Sequence, residues 1–208
     1  MTLKRRQTKP WSDFRLGRTS GKKGKPKKRF LILCEGEKTE PNYFKSFRVS
    51  SAEVYVLGLG ANTTSIVEEA IKRKLQAKKE KTLFNEVWCV FDRDSFPAKN
   101  FNKAFERAKK TDIKIAYSNE AFEIWYLLHF CYQNTGISRS LYKNKLSKYL
   151  KKAYKKNSTT IYEDLLSRQT TAIKNAKRLL ETYSAPNPEK DNPSTTVHLL
   201  VQLLNANM

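Results

Sequence analysis

The sequence contains few cysteines and lacks long apolar runs. Its three cysteines, Cys34, Cys89 and Cys131, lie far apart in apolar segments, and none belongs to a Cys-x-x-Cys pair. This pattern disfavours a zinc ribbon or finger and predicts reduced core thiols in a cytoplasmic protein. The N-terminal stretch lacks the apolar core of a signal peptide, and no later segment approaches a membrane-spanning length, so we expect no membrane partner.

Negative charge is also scarce. The 208 residues include 41 Lys and Arg but only 20 Asp and Glu, which gives a formal net charge of +21. Such a charge attracts polyanions, whereas a surface that only keeps a chain soluble mixes both signs. The balance therefore favours nucleic acid as a partner.

The basic residues are concentrated at the N-terminus. Residues 1–29 carry twelve Lys and Arg against one acid, Asp13, and the stretch "SGKKGKPKKR" has almost no apolar side chain to pack. We therefore expect a disordered, flexible basic arm over 1–29 that contacts phosphates without sequence specificity, with a targeting signal as the alternative. The arm residues expected to bind nucleic acid are Lys22, Lys23, Lys25, Lys27, Lys28 and Arg29.

Apolar strand candidates alternate with amphipathic helices from residue 30 to 135. This order predicts an α/β core with a mostly parallel central sheet flanked by helices. Beyond residue 136 the pattern is helical, which predicts a C-terminal helical extension over 136–208 that packs on the core. Strands are expected at 30–34, 53–58, 86–94 and 113–118. Helices are expected from Pro41, over 62–81 and 98–110, from Asn119 or Glu120, and near 138–156, 159–183 and 194–205.

Residues 142–156, "YKNKLSKYLKKAYKK", interleave lysine with tyrosine. Lysines can hold phosphates while tyrosines stack on bases, which makes this stretch a second candidate surface for nucleic acid. A solvated helix face whose tyrosines pack inward is an equally good interpretation. The candidate contacts here are Lys151, Lys152, Lys155 and Lys156.

Acidic residues follow three of the predicted strands. Glu35 comes directly after the first strand, Asp92 and Asp94 end the third, and Glu120 and Glu123 follow the fourth. Because ligand groups gather beyond the carboxyl ends of parallel strands, we expect these carboxylates to meet at one edge of the sheet. Taken singly, each acid could instead be a helix cap, a salt-bridge partner or a solvated side chain.

Clustered carboxylates raise one another's pKa unless a cation lies between them. Oxygen ligands without nearby histidine or cysteine favour Mg²⁺ or Mn²⁺ over zinc. Two such ions can activate a water and stabilise the leaving oxygen in phosphodiester cleavage. The sequence therefore predicts a basic surface that collects a polyanion around a small acidic metal site.

The pattern resembles a known family. An apolar strand followed by Glu-Gly, and a later strand ending in Asp-x-Asp, resembles the Toprim domain of topoisomerases, primases and overcoming-lysogenization-defect nucleases. The segments "LILCEGEKTEPNYF", "VFDRD", "SNEAFEIWYLLHF" and "DNPSTTVHLL" together resemble the RloB-like family of bacterial Toprim proteins. The similarity runs from about Phe30 to near the C-terminus and implies a Toprim-like core over 30–135.

The resemblance implies Mg²⁺-dependent cleavage of nucleic acid in phage defence. It makes Glu35 the general acid or base and Asp92 and Asp94 metal-binding aspartates, so these three form the expected catalytic set. Glu40 falls near a second acid of nuclease-type Toprim domains, and Glu123 is a further expected metal ligand. Related Toprim effectors of abortive infection pair with an ABC-type ATPase and can attack host RNA such as tRNA. This chain has no Gly-x-x-x-x-Gly-Lys-Ser/Thr fingerprint, so any ATP dependence has to come from a partner.

Three further residues have expected roles. Lys38 is a candidate contact of the scissile phosphate, because a cation beside the metal stabilises developing charge. His129 is expected to be a core or supporting residue rather than a catalyst. His198 could line the site from the last helix, but the sequence does not place it there.

Two classes of function remain open. The first is a metal-dependent endonuclease, an abortive-infection effector that cleaves RNA or DNA. The alternative is a non-catalytic basic nucleic-acid-binding protein, or a subunit active only with an ATPase partner. A topoisomerase or primase is disfavoured, because the chain has no room for their additional domains and no zinc cysteines. The sequence leaves open the cleavage site, the trigger and the oligomeric state.

Overall fold

The computed structural model describes residues 27–93 and 97–208, and these form one five-stranded sheet. Its strands are β1 (Lys28–Cys34), β2 (Ala52–Gly58), β3 (Glu86–Asp92), β4 (Lys114–Asn119) and β5 (Ser194–Thr195). Their order is β2-β1-β3-β4-β5, in which β1 to β4 run parallel and β5 pairs antiparallel with β4. The predicted α/β fold with a mostly parallel sheet is therefore confirmed.

Helices cover both faces of this sheet. In the described residues they are α1 (Thr39–Lys45), α2 (Thr63–Lys79), α3 (Ala98–Lys110), α4 (Glu123–Leu127), α5 (Arg139–Leu150), α6 (Ile161–Leu166), α7 (Gln169–Glu181) and α8 (Val197–Asn205). Helices α2 and α3 pack with Leu31 and Leu33 on one face, whereas the others pack with Phe30, Ile32 and Cys34 on the opposite face. Successive residues of β1 thus enter two cores, which explains why the strand is apolar without alternation.

The first strand begins earlier than the sequence pattern suggests. Lys28 and Arg29, which the pattern assigned to the basic arm, are the first two residues of β1. The Arg29 side chain is mostly buried, with Nε 3.4 Å from Glu53 Oε2 and the guanidinium over the rings of Tyr55 and Phe84. Residues 1–26 of the predicted arm lie outside the described residues.

The expected helix at Asn119 or Glu120 begins only at Glu123 and is five residues long. Strand β4 continues through Asn119, whose side-chain amide donates a hydrogen bond to the Asp191 carbonyl at 2.9 Å. This hydrogen bond to the C-terminal segment holds Asn119 in the strand conformation. The expected helix over 138–156 likewise ends early, at Leu150, because Lys151 takes a left-handed conformation with φ of +54°.

The last part of the chain contains two further differences from the expected helices. The segment 159–183 forms α6 and α7 rather than one helix, although Leu165 and Ala172, on either side of the break, are both buried. The expected helix over 194–205 starts only at Val197, because Thr195 pairs with Ser118 in the sheet. Apolar residues keep their helical spacing through the break between α6 and α7, so the sequence pattern did not indicate that a helix ends there.

Two predictions from the sequence concerned the cysteines and possible membrane-spanning segments. All three cysteines are free, and Cys34 and Cys89 are buried. Burial raises the pKa of Cys34 well above its usual range and that of Cys89 to about 12, so these two are inert core residues. Within 27–93 and 97–208, no helix combines the length and apolar character needed to cross a bilayer.

A carboxylate cluster at the carboxyl edge of the sheet

Glu35 joins the ends of two neighbouring strands. Its backbone N–H donates to the Val90 carbonyl at 2.9 Å, which continues the β1–β3 pairing by one residue. Its side chain then reaches the end of β3, where Oε2 accepts a hydrogen bond from the Asp92 backbone N–H at 3.0 Å. The Thr63 hydroxyl, at the start of α2, is 3.5 Å from Oε1. The Glu35 carboxylate is therefore oriented by β3.

Asp92 ends β3 and is buried. Its Oδ2 accepts a hydrogen bond from Arg139 Nη2 at 2.8 Å, and Arg139 is the first residue of α5. Its other oxygen, Oδ1, is buried and has no hydrogen-bond partner within the described parts of the chain. A buried carboxylate with a vacant oxygen is costly unless a donor or cation reaches it.

Glu40 lies in the first turn of α1, and its carboxylate lies over Gly36. A β-carbon at Gly36 would lie 3.0 Å from Glu40 Cδ and 3.2 Å from Oε1, and it would collide with Oε2. Only glycine leaves room for this carboxylate. Glu40 Oε2 is buried and, among the described residues, has no hydrogen-bond partner.

Glu123 is the first residue of α4 and is buried. Its Oε1 accepts a hydrogen bond from the Tyr154 hydroxyl at 3.2 Å. Its Oε2 is a third buried carboxylate oxygen without a partner in the described residues. Burial and the adjacent Glu123 raise the pKa of Tyr154, so its phenol stays protonated as a donor.

These acids influence one another. Burial raises the pKa of Asp92 well above its usual range, the carboxylates of Glu40 and Glu123 raise it further, and the Arg139 guanidinium lowers it. Burial also raises the pKa of Glu40, with a further increase from Glu123 and opposing effects of its own backbone N–H, Lys156 and Arg139. Within the described residues, negative charge at this edge is therefore only partly compensated by Arg139 and Lys156.

The cluster borders a cavity of about 460 Å³. Acids and bases both line it, among them Glu35, Glu40, Asp92, Lys38, Arg139 and Lys156. Glu123 borders an adjoining cavity, and the two cavities share Arg139 and Lys156. The structure thus brings together Glu35, Glu40, Asp92 and Glu123 at one edge, while the expected ligand Asp94 lies outside the described residues.

The expected nucleic-acid contacts separate into groups. Lys38, Lys155 and Lys156 line the two cavities beside the carboxylates. Lys151 is exposed at the end of α5, and Lys152 forms an ion pair with Asp164 at 2.6 Å. Lys27 and Lys28 are exposed near the start of β1, at the edge of the sheet opposite the carboxylates. Arg29 contacts Glu53 as described above, and Lys22, Lys23 and Lys25 are not among the described residues.

The described lining of the acidic cavity contains neither of the two histidines. His129 is buried, and its Nδ1 is 2.9 Å from the Trp125 carbonyl. Burial lowers the pKa of His129 to about 4, which matches a neutral core residue. His198 on α8 is also buried, and burial together with Lys177 lowers its pKa to about 4.

Sequence reasoning missed two residues of the site, Arg139 and Tyr154. Arg139 lies 47 residues after Asp92, and Tyr154 lies 31 residues after Glu123. The sequence signal that could have indicated Tyr154 is its position in the stretch of interleaved lysine and tyrosine, residues 142–156. Arg139 directly follows a candidate helix-capping residue, Ser138, but nothing in its neighbourhood indicates which acid it contacts.

Oxygen donors of this kind suit a hard divalent cation such as Mg²⁺ or Mn²⁺. Three buried oxygens, on Glu40, Asp92 and Glu123, have no partner in the described part of the chain and fit that chemistry. As placed, residues 27–93 and 97–208 contain no group of three or more His, Cys, Asp or Glu side chains arranged to hold a metal ion. The expected fifth acid, Asp94, is outside those ranges.

The fold and site define an α/β protein with a mostly parallel sheet and an acidic cavity at its carboxyl edge. A family model described as "RloB-like protein" matches residues 30–204. The chain therefore belongs to the RloB-like protein family, and the resemblance to that family is confirmed. No curated protein matches the chain.

Proposed function

We propose that this protein is a metal-dependent nucleic-acid endonuclease with a Toprim-like site, acting in anti-phage abortive infection. Its substrate would be RNA, such as tRNA, or DNA. The observation that carries the proposal is a set of three buried carboxylate oxygens, on Glu40, Asp92 and Glu123, that have no partner among the described residues and lie beside cavities lined by cations. Natural proteins rarely leave such oxygens without partners outside functional sites.

Glu40, Asp92 and Glu123, together with Glu35 and Asp94, would hold Mg²⁺ or Mn²⁺. A bound ion of this kind supplies Lewis acidity to the phosphodiester and lowers the pKa of water. Glu35, oriented by the Asp92 N–H, would take up or return a proton at its carboxylate.

The cations of the rim have a separate task. Lys38, Arg139 and Lys156 line the same cavity as the carboxylates, where they would bind and orient the phosphate backbone. A fixed positive charge there also stabilises the charge that develops on the phosphate oxygens. The basic surface would collect the polyanion, and the acidic cavity would hold the scissile phosphate.

The test compares the wild type with Asp92→Ala and Glu35→Ala, using supercoiled plasmid DNA and purified tRNA with Mg²⁺ or Mn²⁺. We expect cleavage by the wild type and at least a 100-fold loss in both variants, with unchanged binding of each nucleic acid when Ca²⁺ replaces Mg²⁺. Asp112→Asn is the control, because this exposed acid pairs with Lys74 outside the acidic cavity. Cleavage that survives in both variants would refute the proposal.

One observation favours a second candidate, a non-catalytic nucleic-acid-binding protein. Arg139 already pairs with Asp92, and Tyr154 with Glu123, so part of the acidic charge is satisfied by the chain itself. Under this alternative, binding persists but no cleavage occurs with Mg²⁺ or Mn²⁺. A subunit that works only with an ABC-type ATPase gives the same result alone and cleaves once the ATPase and ATP are added. A cytoplasmic location, proposed from the free thiols, suits each of these roles.

A further inference from the structure

A second cavity of about 630 Å³ adjoins the carboxylate cluster. It lies between the first turns of α5 and residues 154–156 of the loop that follows this helix. Glu123 lies on its wall, and Arg139 and Lys156 belong to both cavities. A ligand in this space would therefore be next to the proposed scissile phosphate. Its volume is within the range of small-molecule sites, which is about 300–1,000 Å³.

The charge of this second cavity selects an anion. Among the described residues, its lining includes Arg139, Lys143, Lys155 and Lys156 against one acid, Glu123. One Glu123 oxygen already accepts the Tyr154 hydroxyl. The three lysines are exposed and form no ion pair with any described residue. Their ammonium groups are thus available to phosphate oxygens of the ligand.

Two tyrosines, Tyr142 and Tyr154, also line this cavity. Tyr142 is 1% exposed and Tyr154 is 5% exposed, so both rings are held firmly by the surrounding core. The Tyr142 hydroxyl is buried and, in the described part of the chain, has no hydrogen-bond partner. A buried hydroxyl without a partner at the wall of the cavity suits a ligand group that has its own donors and acceptors, as the edge of a base has. Phosphate-binding cations beside such walls indicate a nucleotide.

We propose that this cavity receives one unpaired nucleotide adjoining the scissile phosphate, so that the substrate is single-stranded or looped at the cleavage site. This inference rests on the proposed function. A base within a continuous duplex exposes only its edge and would have to be flipped out before its ring could enter. Flipping costs a few kcal/mol, and this cost is absent for a nucleotide that is already unpaired.

The experiment blocks the second cavity with a bulky substitution and leaves the carboxylate residues unchanged. Ser140 lines this cavity but not the first one, and it is exposed on α5. Ser140→Trp would occupy the space intended for the base. Asn144→Trp is the matched control, because Asn144 is exposed one turn further along the same helix and does not line the cavity.

The probes are a fluorescein-labelled 12-nucleotide single strand and the same strand in a duplex, each made as RNA and as DNA. Binding is measured by anisotropy with Ca²⁺ in place of Mg²⁺. We expect the wild type and Asn144→Trp to bind the single strand at least tenfold more tightly than the duplex. Ser140→Trp should lose this preference through weaker single-strand binding, with duplex binding unchanged. The RNA and DNA pairs show whether the sugar contributes.

Equal affinity of the wild type for single strand and duplex would overturn the inference. An unchanged preference in Ser140→Trp would also overturn it, provided that the variant keeps the wild-type melting temperature. If Ser140→Trp is less stable, Lys143→Ala replaces it, with a smaller expected loss confined to single strands. If the wild type prefers single strands, Ser140→Trp loses this preference and no protein cleaves, only the nuclease proposal is refuted. If single strand and duplex are bound with equal affinity and cleaved at equal rates, only the nucleotide pocket is refuted.

Discussion

Arg139 Nη2 donates a hydrogen bond to Asp92 Oδ2 at 2.8 Å, while Asp92 Oδ1 has no hydrogen-bond partner among the described residues. One oxygen of the carboxylate is thus held by a cation of the chain, and under the proposed function the other would bind a second cation. Because Arg139 also lines both cavities, the basic charge of the protein extends into its acidic site. Four predictions follow from this site and from the core that supports it.

Neutralising Asp92 should stabilise the metal-free protein. Burial and the neighbouring acids raise the pKa of Asp92, so the fold disfavours its charged form. We expect Asp92→Asn to increase the free energy of unfolding by about 1 kcal/mol without metal, as measured by urea denaturation. Excess Mg²⁺ should stabilise the wild type by about 3 kcal/mol at 100 times its Kd and leave the variant unchanged.

Asp112→Asn is the control for this comparison, since Asp112 is exposed and asparagine tolerates its left-handed backbone, with φ of +51°. It should keep the Mg²⁺ response of the wild type. A Mg²⁺ effect of the same size in Asp92→Asn would show that the ion binds elsewhere.

A methyl group at Gly36 should disable the site through Glu40. The added β-carbon would displace the Glu40 carboxylate, and a displacement of about 1 Å can reduce a catalytic rate about 100-fold. Cleavage rates of Gly36→Ala, Glu40→Ala and the double variant form a cycle. If both substitutions act on the same carboxylate, the double variant should be no slower than Glu40→Ala alone. Independent, multiplying losses would mean that Gly36 has another role.

Lys155 and Lys156, two of the four lysines in the loop after α5, should account for part of the salt dependence of binding. Each phosphate contact contributes about 0.7 to the slope of log K against log salt for a single strand. Replacing both Lys155 and Lys156 by alanine should therefore reduce the slope by about 1.4. Lys109 and Lys110, exposed at the end of α3, provide the matched double-alanine control, whose slope should equal that of the wild type. Equal slopes in all three proteins would remove the loop from the binding surface.

Acid should destabilise the fold through His129. Its pKa is about 4 in the folded protein and about 6.5 in an unfolded chain, so the unfolded state binds more protons between these values. The stability contributed by neutral His129 is complete above pH 6.5 and is lost as the pH falls to 4. The loss is on the order of 3 kcal/mol.

This contribution is measured from urea midpoints at several pH values. His129→Asn removes the titrating ring and keeps a donor near the Trp125 carbonyl, so the fall in stability between pH 6.5 and 4 should be smaller than in the wild type. The comparison uses pH dependence rather than absolute stability, because the substitution also changes packing. Parallel curves for the two proteins would contradict the assigned pKa.

The sheet could be predicted because each of its first four strands contains a short run that is mostly apolar. The run from Phe30 to Cys34 enters cores on both faces, so every position had to be apolar and the strand was evident from composition. The two-residue strand β5 was missed, since Ser194 and Thr195 are polar and pair through a contact far along the chain, with Asn119 and Ser118. Local patterns do not contain such pairings.

The acids of the site were predictable for a similar reason. A parallel sheet brings the ends of its strands to one edge, which is enough to unite Glu35, Asp92 and Glu123. The residues that contact them were not predictable, because Arg139 and Tyr154 come from segments whose position depends on how the C-terminal helices pack. Tertiary packing, rather than strand order, determines those contacts.

Gly36 and Glu40 give the Glu-Gly pair of this chain a particular meaning. The glycine reserves a volume, and the acid four positions later fills it. The two residues therefore depend on each other. The pattern Glu-Gly-x-x-x-Glu is a more specific search for chains with the same carboxylate cluster than Glu-Gly alone. A chain with the glycine but not the later acid would have an empty space there. A chain with the acid but a larger residue in place of the glycine would have to hold that acid somewhere else.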